Sequence, residues 1–260
     1  MTTVPPLRRP GRALLGTALA TALLSGCSDG ASPSDGRSAA PRGAGVTLSA
    51  KLDTPTDVTL RWSGDARDAA GQVVEFATEP EGAYTTLRFA PEGQRLHEHP
   101  DLMPETPFYY RLRAYGGPVS AAVELDLPKG AFSKEDQRSG HEWAAPRKLS
   151  KPGSAAERHP VRGEEAVRAT ADDFKATVKH ANGVLLTWRD RARDEAGYLV
   201  EIRPAGAPDF HVAAVLDPDI ESTGLITLPR EKRATVRVRA FFYGERSNVV
   251  LRTTGKSATG

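Results

Sequence analysis

The sequence predicts an all-β protein with two tandem β-sandwiches, and three observations carry that expectation. The chain of 260 residues repeats itself at an offset of 126, so that ten of the nineteen positions in 58–76 are identical to those in 184–202. Within each copy the apolar residues recur with period two, the mark of a half-buried strand. Gly, Pro and Asp clusters then punctuate the strands: Gly64-Asp65, Glu79-Pro80-Glu81-Gly82 and Asp217-Pro218-Asp219. No capped run of helical period appears in either copy, and modules of about 85 residues suit a sandwich.

Residues 1–26 hold Arg8, Arg9 and Arg12, no acid, and an apolar run from Ala13 to Leu24. A basic region before a short apolar core reads as a secretory signal peptide. Twelve residues are too few to span a bilayer, which takes roughly 20. The run ends in Leu24-Ser25-Gly26-Cys27, which resembles the lipobox of bacterial lipoproteins. That resemblance implies cleavage between Gly26 and Cys27, a diacylglyceryl thioether on Cys27, and a place on the extracytoplasmic face of the bacterial cell membrane. Cys27 is the only cysteine, so no intramolecular disulfide forms. Residues 28–45, SDGASPSDGRSAAPRGAG, cannot build a core and read as a flexible tether reaching about 25 Å.

Module 1 is expected over 46–128. Val58, Leu60 and Trp62 alternate with polar residues in one strand, and Phe108, Tyr110, Leu112 and Ala114 in a later one. Module 2, over 170–255, repeats them as Val184, Leu186 and Trp188, and as Val236, Val238 and Ala240. Upstream, Leu48, Ala50 and Leu52 fall on Phe174, Ala176 and Val178 at the same offset. Residues 129–169 separate the modules and read as a linker in which Phe132 and Trp143 are the large apolar groups. Residues 256–260 are a short tail.

Trp62 and Trp188, the strand Gly197-Tyr-Leu-Val-Glu201, and the strands ending Arg111-Leu-Arg-Ala114 and Arg237-Val-Arg-Ala240 resemble the fibronectin type III family in kind and order. The resemblance implies two fibronectin type III-like, immunoglobulin-like sandwiches behind the lipoprotein signal peptide and tether. The family's corner tyrosine is replaced by Phe108 and Ala234, and Gln72 stands where the second copy has Tyr198. The tyrosine-corner hydrogen bond is therefore not expected.

Catalytic and metal motifs fail on inspection, and no cofactor or metal is expected. His141-Glu142-Trp143-Ala144-Ala145 lacks the second histidine of a zinc protease helix. His97-Glu98-His99 precedes Pro100-Asp101 and reads as an exposed turn with no third ligand. The acids Asp65, Asp68, Asp190 and Asp194 recur with Arg67 and Arg193, which suggests a salt-bridged turn used twice. The candidate ligand surface is Phe241-Phe242-Tyr243-Gly244, expected in the loop between the last two strands, with Tyr115 at the shorter equivalent.

Charge gives no evidence for a nucleic-acid partner, and none is expected. The sequence carries 35 basic and 33 acidic residues, but removing residues 1–26 takes three arginines and leaves 32 against 33. The basic isoelectric point belongs to the signal. The expected function is a non-enzymatic, lipid-anchored surface protein displaying its modules for protein interaction or spacing. An envelope-polysaccharide or cell-wall-binding role is the alternative.

Overall fold

The computed structural model describes residues 45–130, 133–134, 140–150 and 157–256. Phe132 and the segment holding Gly26 and Cys27 lie outside them. Fourteen strands and three short 3₁₀ turns make up the described chain, which is all-β. Module 1 contributes β1 (Thr47–Thr54), β2 (Asp57–Ser63), β3 (Gly71–Ala77), β4 (Thr85–Pro91), β5 (Leu96–His99), β6 (Pro107–Gly116) and β7 (Val123–Asp126). Module 2 contributes β8 (Asp172–His180), β9 (Gly183–Arg189), β10 (Gly197–Pro204), β11 (His211–Leu216), β12 (Ser222–Ile226), β13 (Arg233–Arg246) and β14 (Val250–Thr253).

Two three-stranded sheets, β1-β2-β5 and β8-β9-β12, cover the outer sides. Between them runs one eight-stranded sheet in the order β11-β10-β13-β6-β3-β4, with β14 added to β6 and β7 to β13. Alternation drives this layering. Val58, Leu60 and Trp62 on β2 bury against Phe108, Tyr110 and Leu112 on β6, while Val184, Leu186 and Trp188 meet Val236, Val238 and Ala240. The period-two reading of these strands matches the observed burial.

The repeat and the packing unit do not coincide. β7 follows β6 in sequence but pairs with β13, through Arg233↔Asp126, Ala234↔Leu125, Thr235↔Glu124 and Val236↔Val123. β14 follows β13 but pairs with β6, through Val250↔Tyr110, Leu251↔Tyr109, Arg252↔Phe108 and Thr253↔Pro107. Leu125 therefore sits in the core of module 2, and Val250 packs on the core of module 1. The sandwiches have exchanged their last strands.

The exchange follows from where β6 and β13 lead. They pair with each other beyond their own sandwiches, Phe242 opposite Gly116 and Tyr243 opposite Tyr115, so each occupies the edge a returning hairpin would use. The chain leaves β6 at Gly117, whose φ is +128° and where a Cβ would lie 2.1 Å from the Ala240 carbonyl oxygen, so only glycine fits. A serine then fixes each crossing. Ser120 Oγ accepts the Val238 N–H at 3.1 Å, and Ser247 Oγ accepts the Leu112 N–H at 2.9 Å. Val238 and Leu112 are the same position in the two copies.

The linker is docked rather than free along much of its length. Arg147 exchanges backbone hydrogen bonds with Glu221 and Ser222, and His159 with Arg191 and Arg193. Trp143 lies on β9 and β12, where a methyl at Gly224 would come within 2.7 Å of its ring and one at Gly183 within 3.0 Å. The two glycines make the seat for the indole.

Candidate functional site at the module junction

The four aromatic candidates converge on the junction, but not as a loop. Phe241, Phe242, Tyr243 and Gly244 all belong to β13, which is 14 residues long. The loop expectation for them is corrected by the pairing of β13 with β6, which continues the strand past the end of its own sandwich. Side-chain alternation then splits the group. Tyr115 and Phe241 are buried beside Val73, Leu199 and Phe89, with Tyr243 packed on them. Phe89 meets Tyr115 edge-on at 5.1 Å and Phe241 at 5.9 Å, and Phe241 meets Tyr243 at 5.2 Å. These four rings glue the modules together, and burial pushes the Tyr115 phenol up to about 12.

Phe242 faces the other way, into a cleft of about 740 Å³ bounded by Arg67, Asp68, Gly117, Arg162, Glu164 and Glu245. The Arg162 guanidinium lies 4.3 Å over the Phe242 ring and donates to the Tyr243 carbonyl, so the aromatic face is already stacked. Charges of both signs rim the cleft.

Beside it runs a device repeated in each copy. On β3, Glu75 is 5% exposed and accepts from Arg111 Nε at 2.6 Å, while that guanidinium lies 3.6 Å over Tyr84. In the second copy Glu201 accepts from Arg237 Nε at 2.6 Å, and Arg237 lies 3.9 Å over Phe210. Each residue is displaced by 126. Glu201 also takes Arg239 Nε at 2.7 Å, and Arg239 donates on to the Gly117 carbonyl at 2.7 Å, tying the second module to the crossing. The site reading missed these groups. The signal was present as identical Val-Glu and Arg-x-Arg segments in both copies, because a charge repeated on a buried strand needs a repeated partner.

Acids from the turns after β9 and β11 form a separate cluster. Asp190, Glu195 and Asp219 have carboxylate oxygens within 4.8 Å of one another. The place a cation would take is held by Arg158, 3.0 Å from Asp190 Oδ2 and 2.7 Å from Asp219 Oδ1, with Lys148 2.8 Å from Asp219. Burial raises the Asp190 carboxyl above the ordinary range even though the Tyr198 hydroxyl, the Ala192 N–H and Arg158 favour its charged form. This cluster clamps linker to module. The simple salt-bridged turn read from Asp65, Asp68, Asp190 and Asp194 is thus corrected. Asp190 is buried in a network that includes the linker's Arg158, and Asp194 Oδ1 accepts the Val161 N–H at 2.8 Å.

His97 and His99 occupy β5 rather than a turn, because Val58↔His99 and Leu60↔His97 pair them with β2. His99 Nδ1 lies 3.1 Å from the Tyr110 hydroxyl, and burial holds both imidazoles below their usual range.

Comparison with known proteins is sparse at the level of sequence. No family model matches the chain, and no curated protein does. Among solved structures, a two-domain fibronectin type III segment of chicken tenascin is 14% identical with a TM-score of 0.25, covering 82% of this chain and 99% of that one. The FN1-FN3 domains of chicken CNTN1 are 15% identical with a TM-score of 0.25, covering 84% of this chain and 69% of that one. The fold assignment rests on the strand order described above: two immunoglobulin-like sandwiches, fibronectin type III-like in pattern, joined by exchanged strands.

Proposed function

We propose that the chain is a non-enzymatic, lipid-anchored surface protein that presents its two sandwiches as one rigid interaction body. Leu24-Ser25-Gly26-Cys27 supports the anchor, and the short tether 28–45 keeps the body close to the membrane. The observation that carries the display reading is the shared eight-stranded sheet. It turns two modules into one body, and the polar groups at the junction are spent on holding it together. Mass spectrometry of the mature amino terminus tests the anchor. A diacylglyceryl group on Cys27, absent in Cys27→Ser, is expected; an unmodified thiol there contradicts it.

One observation favours an envelope-polysaccharide partner: Phe242 lines the junction cleft, where an aromatic face suits a sugar ring. Arg162 covers that face, so binding requires the arginine to move aside. Retention on purified envelope polysaccharide that is lost in Phe242→Ala supports this reading, and no retention of the parent protein ends it.

A further inference from the structure

A cavity of about 540 Å³, lined by both modules, opens at the junction away from Phe242. Its lining includes Tyr115 from β6, Glu201 from β10, and Arg237 and Arg239 from β13. Glu201 and Arg239 are buried and spent on each other and on the Gly117 carbonyl. Two donors beside them are not spent. Tyr115 is 2% exposed, and its hydroxyl makes no hydrogen bond among the described residues. Arg237 gives its Nε to Glu201, and neither of its Nη groups has an acceptor among the described residues. The groups lie together, since Glu201, Arg239 and Arg237 are the charges that act on the Tyr115 phenol. The repeat separates that hydroxyl from packing. Displaced by 126, Tyr115 falls on Phe241, and both rings meet Phe89 edge-on in the same junction core.

The remaining charges define the two ends of the cavity. Two guanidinium groups against the one carboxylate of Glu201 leave a surplus of one positive charge on the inside. Arg95 is engaged by Asp65 at 2.9 Å. Glu92 and Asp209 line the same cavity where it meets solvent, and neither makes an ion pair among the described residues.

We propose that this cavity binds a short peptide with both ends free, carboxylate inward and ammonium outward. The carboxylate accepts from the Tyr115 hydroxyl and the Arg237 Nη groups, where donors exceed acceptors and a planar guanidinium matches a carboxylate. The ammonium meets Glu92 and Asp209 at the mouth. A purely anionic ligand gains the inner contacts but faces those two carboxylates, and a purely cationic one meets the inner surplus of positive charge. The volume suits a ligand of this size. The inference goes beyond display by adding a ligand, and it is independent of the lipid on Cys27.

The test titrates residues 27–260 with Cys27→Ser against triglycine, N-acetyltriglycine and triglycinamide, followed by amide chemical shifts. The expected result is saturable triglycine shifts confined to 91–95, 115, 201, 208–210 and 237–239. N-acetyltriglycine, which lacks the ammonium, binds about threefold more weakly. Triglycinamide, which lacks the carboxylate, gives no saturable response. Tyr115→Phe copies what the second module carries at this place, so it keeps the fold's spectrum while weakening triglycine by about tenfold. Triglycinamide binding as well as triglycine, unchanged binding in Tyr115→Phe, shifts centred on Phe242, or no response to triglycine overturns the proposal. None of these outcomes bears on the lipid anchor, which mass spectrometry decides separately.

Discussion

Ser120 and Ser247 do the same work at the two crossings, each hydroxyl accepting a strand N–H from Val238 or Leu112. Removing such an acceptor leaves a buried donor unsatisfied and costs about 1–3 kcal/mol. Ser120→Ala and Ser247→Ala are expected to lower urea midpoints by comparable amounts, although they lie in different copies. The histidines of β5 give a pH dependence. Burial, with His99 and Arg88 adding for His97, lowers the folded affinity of both for protons below the ordinary value of 6.5. The unfolded chain then binds more protons, so their contribution is complete above about 6.5 and is lost as pH falls below it. Stability followed from pH 7.5 to 5 should fall, and His97→Asn with His99→Asn should flatten that slope.

At the scale of elements, much was legible and the partners were not. The alternation in Val58-Thr-Leu-Arg-Trp62 and its copy states which residues face inward, and the structure buries them. Period two says nothing about which strand lies alongside. β7, VELD, and β14, VLRT, fit either sandwich by pattern, so their exchange could not be read from them. One clue was available. Apolar residues run on past Ala240 through Phe241, Phe242 and Tyr243 without a turn residue, and the strand they extend is 14 residues long where strands usually run about 5–6. A strand that long outgrows one sandwich. The triads Glu75–Arg111–Tyr84 and Glu201–Arg237–Phe210 were likewise visible as repeated charges, whereas the linker's Trp143 seat depends on Gly183 and Gly224 arriving from two strands. The exchange also sets what truncation does. Deleting 249–260 removes β14, the edge partner of β6, so hydrogen-exchange protection should fall in 46–116 of the first module. Loss confined to the second module is the outcome of an unexchanged arrangement.

At the largest scale the two modules behave as one unit for the same reason. Val73, Phe89, Tyr115, Leu199 and Phe241 are buried only because the modules meet. At about 1.5–3 kcal/mol for each large apolar side chain, the junction contributes on the order of 10 kcal/mol before entropic costs. Two sandwiches coupled that strongly, and sharing strands, should unfold in a single transition with coincident fluorescence and far-ultraviolet signals. Cross-linking across the exchanged strands tests the central claim most directly. In residues 27–260 with Cys27→Ser, Tyr109→Cys is combined either with Leu251→Cys, its observed partner, or with Glu124→Cys, the partner in an ordinary hairpin. Oxidation should give an intramolecular disulfide in the 109/251 variant and none in the 109/124 variant. A disulfide in 109/124 and none in 109/251 would contradict the exchange.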